Sequence, residues 1–455
     1  MRDFSEKWVQ RHNHWPALTI YQPTGPNNMP IFNVQQGSES DGPSPTKTRK
    51  HEVRLRITVR RTRFRSSNDE EEDSGLGFWD PSISSEEVFL QVLEMDLGAS
   101  LGVPSVQELA RSLKDVPDRF IRPELELDIV SKDESVPVID MSKLVGGRDD
   151  EEDELAKLHA ACRDWGFFQV INHGVAEEGI LKMKADVQEF FRLPLQEKME
   201  YARLPDDIQG YSASHVVPRG RKQDWSDFLY IFPQPRDGRN LRFWPRVPSS
   251  FKETLNQYST EMKKLNTALL SFMARNLGLE PEKLLSLFEG GRQGVRTNYY
   301  PPCRQANKVL GSSPHSDLAG LTLLTQVNEV QGLQIKRNGK WIPIDPIQDA
   351  FIVNVGEMIE IMSNGEYKSI EHRAVVNPEK ERLSIATFHN PNSNAVIGPL
   401  PDIRGKDGKK QAPKYKSMPY QEYMTERLRQ KKKVYDEEGK PENPAHQMKL
   451  HTEAA

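Results

Sequence analysis

Between positions 295 and 388 the chain settles into a period of two. Short β-rich runs follow one another at 295–300, 321–326, 333–336, 341–344, 351–355, 359–362, 370–376 and 383–388. Residues i and i+2 of an extended chain share a face, so each run can turn one side towards a core. Asn338-Gly339 and Asn364-Gly365 separate such runs. Both suit type I′ hairpin turns, whose two central residues need positive φ. Eight short strands joined in this way predict an all-β core folded as a double-stranded β-helix, a jelly roll of the cupin kind.

Helical spacing dominates before that point. Leu155, Leu158 and Cys162 lie on one helical face, and Gly166 stops the helix. Phe167 to Ile171 reads as a buried strand, and Ile180, Met183, Val187 and Phe190 mark a second helix. A longer helix opens on a capping-box pattern, Ser250 with Glu253 three residues on. Its stripe is Leu255, Tyr258, Met262, Leu265, Leu269 and Phe272. Pro281 suits the first position of a further helix, with Leu284, Leu285 and Phe288 inward. Residues 419–433 read as a charged C-terminal helix with Tyr420, Tyr423, Met424 and Leu428 on one side. The expected divisions are a disordered or atypical N-terminal extension at 1–94, a helical and mixed layer at 95–240, the jelly roll with its leading helices at 241–395, and a loop, helix and polar tail at 396–455.

Residues 1–94 differ in kind from the rest. They hold loop formers, a basic stretch at 49–65 in which Val53, Leu55, Ile57 and Val59 alternate with arginines, and the acidic run at 69–73. No aromatic interleaving accompanies the basic charge, so a nucleic-acid arm is not expected there. The whole chain of 455 residues has a formal net charge of -4, which gives no global field for nucleic acid or an anionic membrane. No stretch approaches the ~20 apolar residues that span a bilayer. Two distant cysteines, Cys162 and Cys303, fit a reducing compartment. These features predict a cytoplasmic monomer whose partner is a small-molecule substrate recognised at a local site.

His315-Ser316-Asp317 carries that site. On an extended chain His315 and Asp317 face one way and Ser316 the other, so an imidazole and a carboxylate can meet on one cation. His372 lies 55 positions beyond Asp317, enough for several hairpins to bring the chain back to the barrel mouth. Two histidines and one carboxylate on one face form the facial triad of non-haem Fe(II) oxygenases. Ten residues on, Arg382 and Ser384 repeat the i, i+2 spacing. A guanidinium fork and a hydroxyl suit the far carboxylate of 2-oxoglutarate.

With these residues in place, the chain resembles the plant 2-oxoglutarate/Fe(II)-dependent dioxygenases of the isopenicillin N synthase-like superfamily, above all their senescence-related, codeine O-demethylase-like branch. The resemblance spans about residues 95 to 435. Its motifs are Pro137-Val138-Ile139-Asp140, the stretch from Trp165 to Gly174, Asn298-Tyr299-Tyr300-Pro301-Pro302-Cys303, Pro314-His315-Ser316-Asp317 and the stretch from Glu381 to Phe388. It implies Fe(II), 2-oxoglutarate and dioxygen as cofactors, with ascorbate as the reductant in vitro. It implies that Asn298 and Tyr300 contact 2-oxoglutarate, that Phe388 and Arg296 line the substrate pocket, and that His173 is structural. Residues 1–94 have no counterpart in it, and Met95-Asp96-Leu97-Gly98 resembles a family start.

Two competing expectations keep the fold: a catalytically silent scaffold, and an iron enzyme that dispenses with 2-oxoglutarate. The first calls for a broken triad or a missing arginine, and this chain has neither. Hydroxylation, demethylation and desaturation of an alkaloid, flavonoid, indole or hormone-like substrate all remain open, because fold alone does not choose among them.

Overall fold

The structure, a computed structural model, describes residues 105–427 except 114, 147–149, 205–206, 214–221 and 404–409. The expectations for 1–94 and for Leu428 lie outside the described residues. In chain order the strands are β1 (Val138–Asp140), β2 (Phe167–Ile171), β3 (Gly210–Ala213), β4 (Asp227–Gln234), β5 (Gln293–Tyr300), β6 (Leu310–His315), β7 (Leu321–Gln326), β8 (Leu333–Arg337), β9 (Lys340–Pro343), β10 (Phe351–Val355), β11 (His372–Val375), β12 (Arg382–His389), β13 (Val396–Ile397) and β14 (Met418–Pro419). A large sheet runs β1-β2-β10-β7-β12-β5-β4-β3, and a small one runs β6-β11-β8-β9. From β5 to β12 the chain is shared between two facing sheets, with β5, β7, β10 and β12 on one and β6, β8, β9 and β11 on the other. This is the expected jelly roll. The large sheet draws strands from both sides of residue 240.

Alternation along the strands divides the large sheet into two faces. Val295, Tyr299, Leu321, Leu323, Val353, Leu383 and Ile385 belong to the main apolar core, together with the stripes of α2 (Glu177–Arg192) and α3 (Phe251–Asn276), which follow α1 (Glu151–Ala160). Both stripes are buried at the positions that their 3.6-residue period predicts. Burying each large side chain contributes about 1.5–3 kcal/mol, so the helical layer holds this face of the sheet. The alternate residues, among them Asn298, Tyr300, Thr322, Asn354, Arg382 and Ser384, look into the space between the sheets. α4 (Pro281–Leu285) starts on Pro281 as expected.

Gly166 closes the turn before β2 with φ +63°, where a Cβ would stand 2.3 Å from the Lys368 carbonyl oxygen. Its own carbonyl accepts from the Val355 N–H at 2.9 Å, which ties β2 to β10. Asn338-Gly339 joins β8 to β9 with both φ values positive, as a type I′ turn requires.

Three local expectations are corrected. Residues 359–362 are not a strand but belong to α5 (Glu357–Met362). All six residues of α5 are buried, so no polar face marks the helical period, and a short apolar run does not reveal its own conformation. Asn364-Gly365 has the expected positive φ at both positions but ends α5 instead of joining two strands, with Gly365 N–H donating to the Glu360 carbonyl at 2.7 Å. Ser250 precedes α3 without capping it. Its hydroxyl donates to Asp186 Oδ1 on α2 at 2.7 Å, so tertiary contact wins over the local cap.

Residues 420–427 form α6, with Tyr420, Tyr423 and Met424 buried as expected. Among the described residues no helix is long and apolar enough to cross a membrane.

Candidate active site

The small sheet brings the two histidines together. β11 pairs with β6 so that His372 lies opposite His315, and their ring centroids are 4.2 Å apart. Asp317 sits two residues past the end of β6, and one donor atom from each of the three lies within 4.8 Å of the others. The spare atoms are well defined. His315 Nδ1 donates to the Ser313 carbonyl at 2.8 Å and His372 Nδ1 to the Ile370 carbonyl at 3.2 Å, which leaves each Nε2 as a lone pair. Asp317 Oδ2 accepts from Thr322 Oγ1 at 2.6 Å and Asn354 Nδ2 at 2.8 Å. Oδ1 is left facing the two Nε2 atoms at 3.6 and 3.7 Å.

Charge follows the same design. Partial desolvation at the cleft mouth, and then the neighbouring His372, lower the His315 imidazole below its usual value, which favours the neutral base. Burial alone would raise Asp317, but the two imidazoles and its hydrogen bonds outweigh that and hold it below the usual carboxylate range. Two imidazoles, each with a free Nε2, and an ionised carboxylate on one side fit a divalent cation with its other positions open.

The backbone that orients His315 is itself pinned. Ser313 N–H donates to Asp224 Oδ2 at 3.0 Å, and Arg122 Nη2 donates to Asp224 Oδ1 at 2.9 Å and to the Ser313 hydroxyl at 2.8 Å. Partners of this kind fix the direction of a ligand's lone pair.

The large sheet faces this cluster with β5 and β12. Their register sets Tyr300 beside Arg382, Asn298 beside Ser384, and Arg296 beside Ala386. Arg382 is 1% exposed. Its guanidinium lies 5.1 Å from the Tyr300 ring centroid and donates from Nη2 to Gln326 Oε1 at 3.0 Å, while Nε has no hydrogen-bond partner. Burial lowers its pKa and Tyr300 opposes the shift, but a guanidinium stays charged. No carboxylate among the described residues forms an ion pair with it. A buried cation in this condition is costly until an anion joins it, and 2-oxoglutarate offers a carboxylate of the right shape. Asn298 Nδ2 reaches Ser384 Oγ at 3.5 Å. Half-buried Arg296 and Phe388 continue the same wall of the cleft, Arg296 stacked 4.0 Å over Phe228 and Phe388 edge-on to Tyr230. The cleft encloses about 540 Å³ including its mouth, and every proposed site residue except Ser384 lines it.

Gly332 guards the arginine. A Cβ there would stand 2.6 Å from Arg382 Cδ and 2.8 Å from the Val375 carbonyl oxygen. Gly332→Ala is therefore expected to raise the 2-oxoglutarate concentration needed for half-maximal rate about tenfold, the equivalent of ~1.4 kcal/mol. Metal affinity should not change, and parallel titrations with 2-oxoglutarate and metal check the split.

Sequence reasoning had overlooked Thr322, Asn354, Gln326 and Asp224. Asn354 had a visible signal, because it is a polar residue inside the apolar run 351–355. Asp224 had none, since only the fold brings it to Ser313. His173 stands apart from the cluster. Its Nε2 donates to the Asp349 carbonyl at 2.8 Å, its Nδ1 accepts from Val175 N–H, and its ring meets Phe351 edge-on.

A jelly roll with two imidazoles and a carboxylate at its mouth, opposite a buried arginine, has the architecture of mononuclear iron oxygenases. Comparison with known proteins agrees. Residues 136–248 match the family of the non-haem dioxygenase in morphine synthesis N-terminal region, and residues 291–391 match the 2OG-Fe(II) oxygenase superfamily. The chain is 50% identical to 2-oxoglutarate-dependent dioxygenase 11 of Oryza sativa subsp. japonica, over 71% of this chain and 92% of that protein. It is 44% identical to codeine O-demethylase of Papaver somniferum, over 68% and 88%. A solved structure of JOX2 in complex with 2OG, Fe and JA aligns over 72% of this chain and 94% of that one, with 36% identity and a TM-score of 0.65. The chain belongs to the plant 2-oxoglutarate/Fe(II)-dependent dioxygenases, in the branch that holds protein SRG1 and the opium-poppy O-demethylases. It is a 2-oxoglutarate-dependent dioxygenase whose cofactors are Fe(II), 2-oxoglutarate and dioxygen.

Proposed function

We propose that His315, Asp317 and His372 hold the Fe(II), that Arg382, Ser384, Asn298 and Tyr300 hold 2-oxoglutarate, and that Phe388 and Arg296 line the pocket of a small plant metabolite. The observation that carries this reading is the pattern of spare atoms: two Nε2 lone pairs and Asp317 Oδ1 converge, while every other polar atom of the three side chains is already bonded. Bound Fe(II) and 2-oxoglutarate supply an oxidant made from dioxygen, with succinate and CO₂ as the by-products. The chain's own groups do the rest. Thr322 and Asn354 aim the Asp317 carboxylate, and Ser313 and Ile370 fix which nitrogen each imidazole offers. Arg382 anchors the far carboxylate, which sets the direction in which the near end of 2-oxoglutarate points. Phe167, Leu324, Leu333, Ala386 and Phe388 keep the reacting region apolar, and Arg296 places one cation on that wall.

The relatives' names point to alkaloid, flavonoid and jasmonate-type substrates, and we place this chain's substrate within that range. Cys162 and Cys303 are buried free thiols, which supports a cytoplasmic location. We also take the chain to act as a monomer. The test is to incubate a plant metabolite extract with the protein, Fe(II), 2-oxoglutarate and ascorbate, using His372→Ala as the blank. The expected result is succinate release matched by a metabolite that gains one oxygen, loses one CH₂ or loses two hydrogens. If no metabolite and no succinate differ from the blank, the assignment of oxidative chemistry to this cleft fails.

A further inference from the structure

Ser316 lies between two of the proposed iron ligands, and its side chain enters a buried cluster instead of the cleft. Its hydroxyl donates to Glu357 Oε1 at 2.6 Å. Glu357 opens α5 and is 0% exposed. Its other oxygen accepts from the Tyr423 hydroxyl at 2.6 Å and from Arg427 Nε at 2.9 Å, and Arg427 Nη2 donates to Oε1. Tyr423 and Arg427 are four residues apart on α6 and so share one face of it. The Arg427 side chain is 3% exposed. One carboxylate thus gathers the loop between His315 and Asp317 on one side and the C-terminal helix on the other.

The backbone repeats the connection. Glu357 N–H donates to the Asp317 carbonyl at 2.8 Å, Gly356 N–H to the Gly320 carbonyl at 2.8 Å, and Met358 N–H to the Ala319 carbonyl at 3.2 Å. Position 356 has to be glycine for this approach, because a Cβ would stand 2.0 Å from the Ala319 carbonyl oxygen. The start of α5 is therefore laid directly on residues 317–320. A buried carboxylate is tolerated only while it is paired and fully hydrogen-bonded. Arg427 supplies both the counter-charge and the fork. Without it, the Glu357 carboxylate loses its counter-charge and two of its hydrogen bonds, and any shift it makes alters what Ser316 and the Asp317 carbonyl are bonded to.

We infer that Tyr423 and Arg427 of the C-terminal helix are positioning residues for the iron site, acting through Glu357 on Ser316. This rests on His315, Asp317 and His372 being the ligands. Groups that orient metal ligands typically change metal affinity by about 10–100-fold when lost.

The experiment titrates the full-length, metal-free chain with Co(II), following its d–d absorption, and records the melting temperature of each metal-free variant. Ser316→Ala and Arg427→Gln are expected to weaken Co(II) binding about 10–100-fold. Ser316→Thr, which keeps the hydroxyl, should bind as the parent does, and Ser316→Ala should melt within a few degrees of it. Tyr423→Phe removes one hydrogen bond only, and its expected severalfold loss carries the test if Arg427→Gln does not fold. His315→Ala separates the two layers of the argument. If it binds Co(II) like the parent, the ligand assignment has failed. If it loses Co(II) while Ser316→Ala and Tyr423→Phe bind within about twofold of the parent, the ligands stand and the link to α6 is overturned.

Discussion

His372→Ala is expected to lower turnover at least a thousandfold, about 4 kcal/mol in barrier terms, while the protein still folds. His315→Ala and Asp317→Ala should do the same. Each removes one of the three proposed protein donors, and two donors hold Fe(II) poorly. The fold survives because the histidines border a cleft and not a sealed core. The His315 side chain is 44% exposed, and a space that opens to solvent fills with water instead of becoming an apolar void. The three variants should differ in stability. Asp317 is 6% exposed and is the acceptor for Thr322 and Asn354, so its loss leaves two buried donors unpaired at about 1–3 kcal/mol each. Asp317→Ala should therefore melt lowest. Turnover, metal affinity and melting temperature measured on all three check the pattern. Any one that keeps near-normal iron-dependent turnover drops out of the ligand set.

Arg382→Ala should raise the 2-oxoglutarate requirement by about one to two orders of magnitude and leave the requirement for the organic substrate nearly alone. A charge-assisted hydrogen bond contributes roughly 1.5–3 kcal/mol, and every 1.4 kcal/mol is about tenfold in affinity. Folding should be spared, for a reason visible in the structure. Arg382 is buried and no carboxylate among the described residues pairs with it, so its removal also removes an uncompensated desolvation cost. Arg382→Lys keeps the charge but loses the planar fork and should fall between the two. An unchanged affinity of Arg382→Ala for 2-oxoglutarate, read by titration calorimetry, would move the cosubstrate elsewhere.

The two proposed sites were legible in the sequence because strand geometry writes neighbours two positions apart. His315 with Asp317 and Arg382 with Ser384 share that spacing, and the jelly roll followed from the same period, whereas Asn298 and Tyr300 came only with the family resemblance. What stayed hidden has two physical causes. Residues 359–362 gave no period because α5 is buried on every side. The supporting groups, Asp224 on Ser313 and Glu357 on Ser316, act across 89 and 41 residues, and no local pattern records such distances. Ser250 misled for the opposite reason, since a sound local signal was outbid by Asp186 on a neighbouring helix.

The pairing of β5 with β12 also limits how this enzyme can change over evolutionary time. Their facing residues run in unbroken register from Arg382 opposite Tyr300 to His389 opposite Gln293. Odd and even positions serve separate tasks, since one set looks into the cleft and the other packs against α2 and α3. Point substitutions at Ala386 or Phe388 can reshape the cleft wall one residue at a time, with Arg382, the proposed cosubstrate anchor, untouched. A one-residue insertion or deletion in either strand has no such freedom. It reverses the parity of everything beyond it, sending the guanidinium towards the helices and a leucine into the cleft. Diversification of substrate in this chain should therefore proceed by replacement within the two strands, with changes of length confined to the loops that join them.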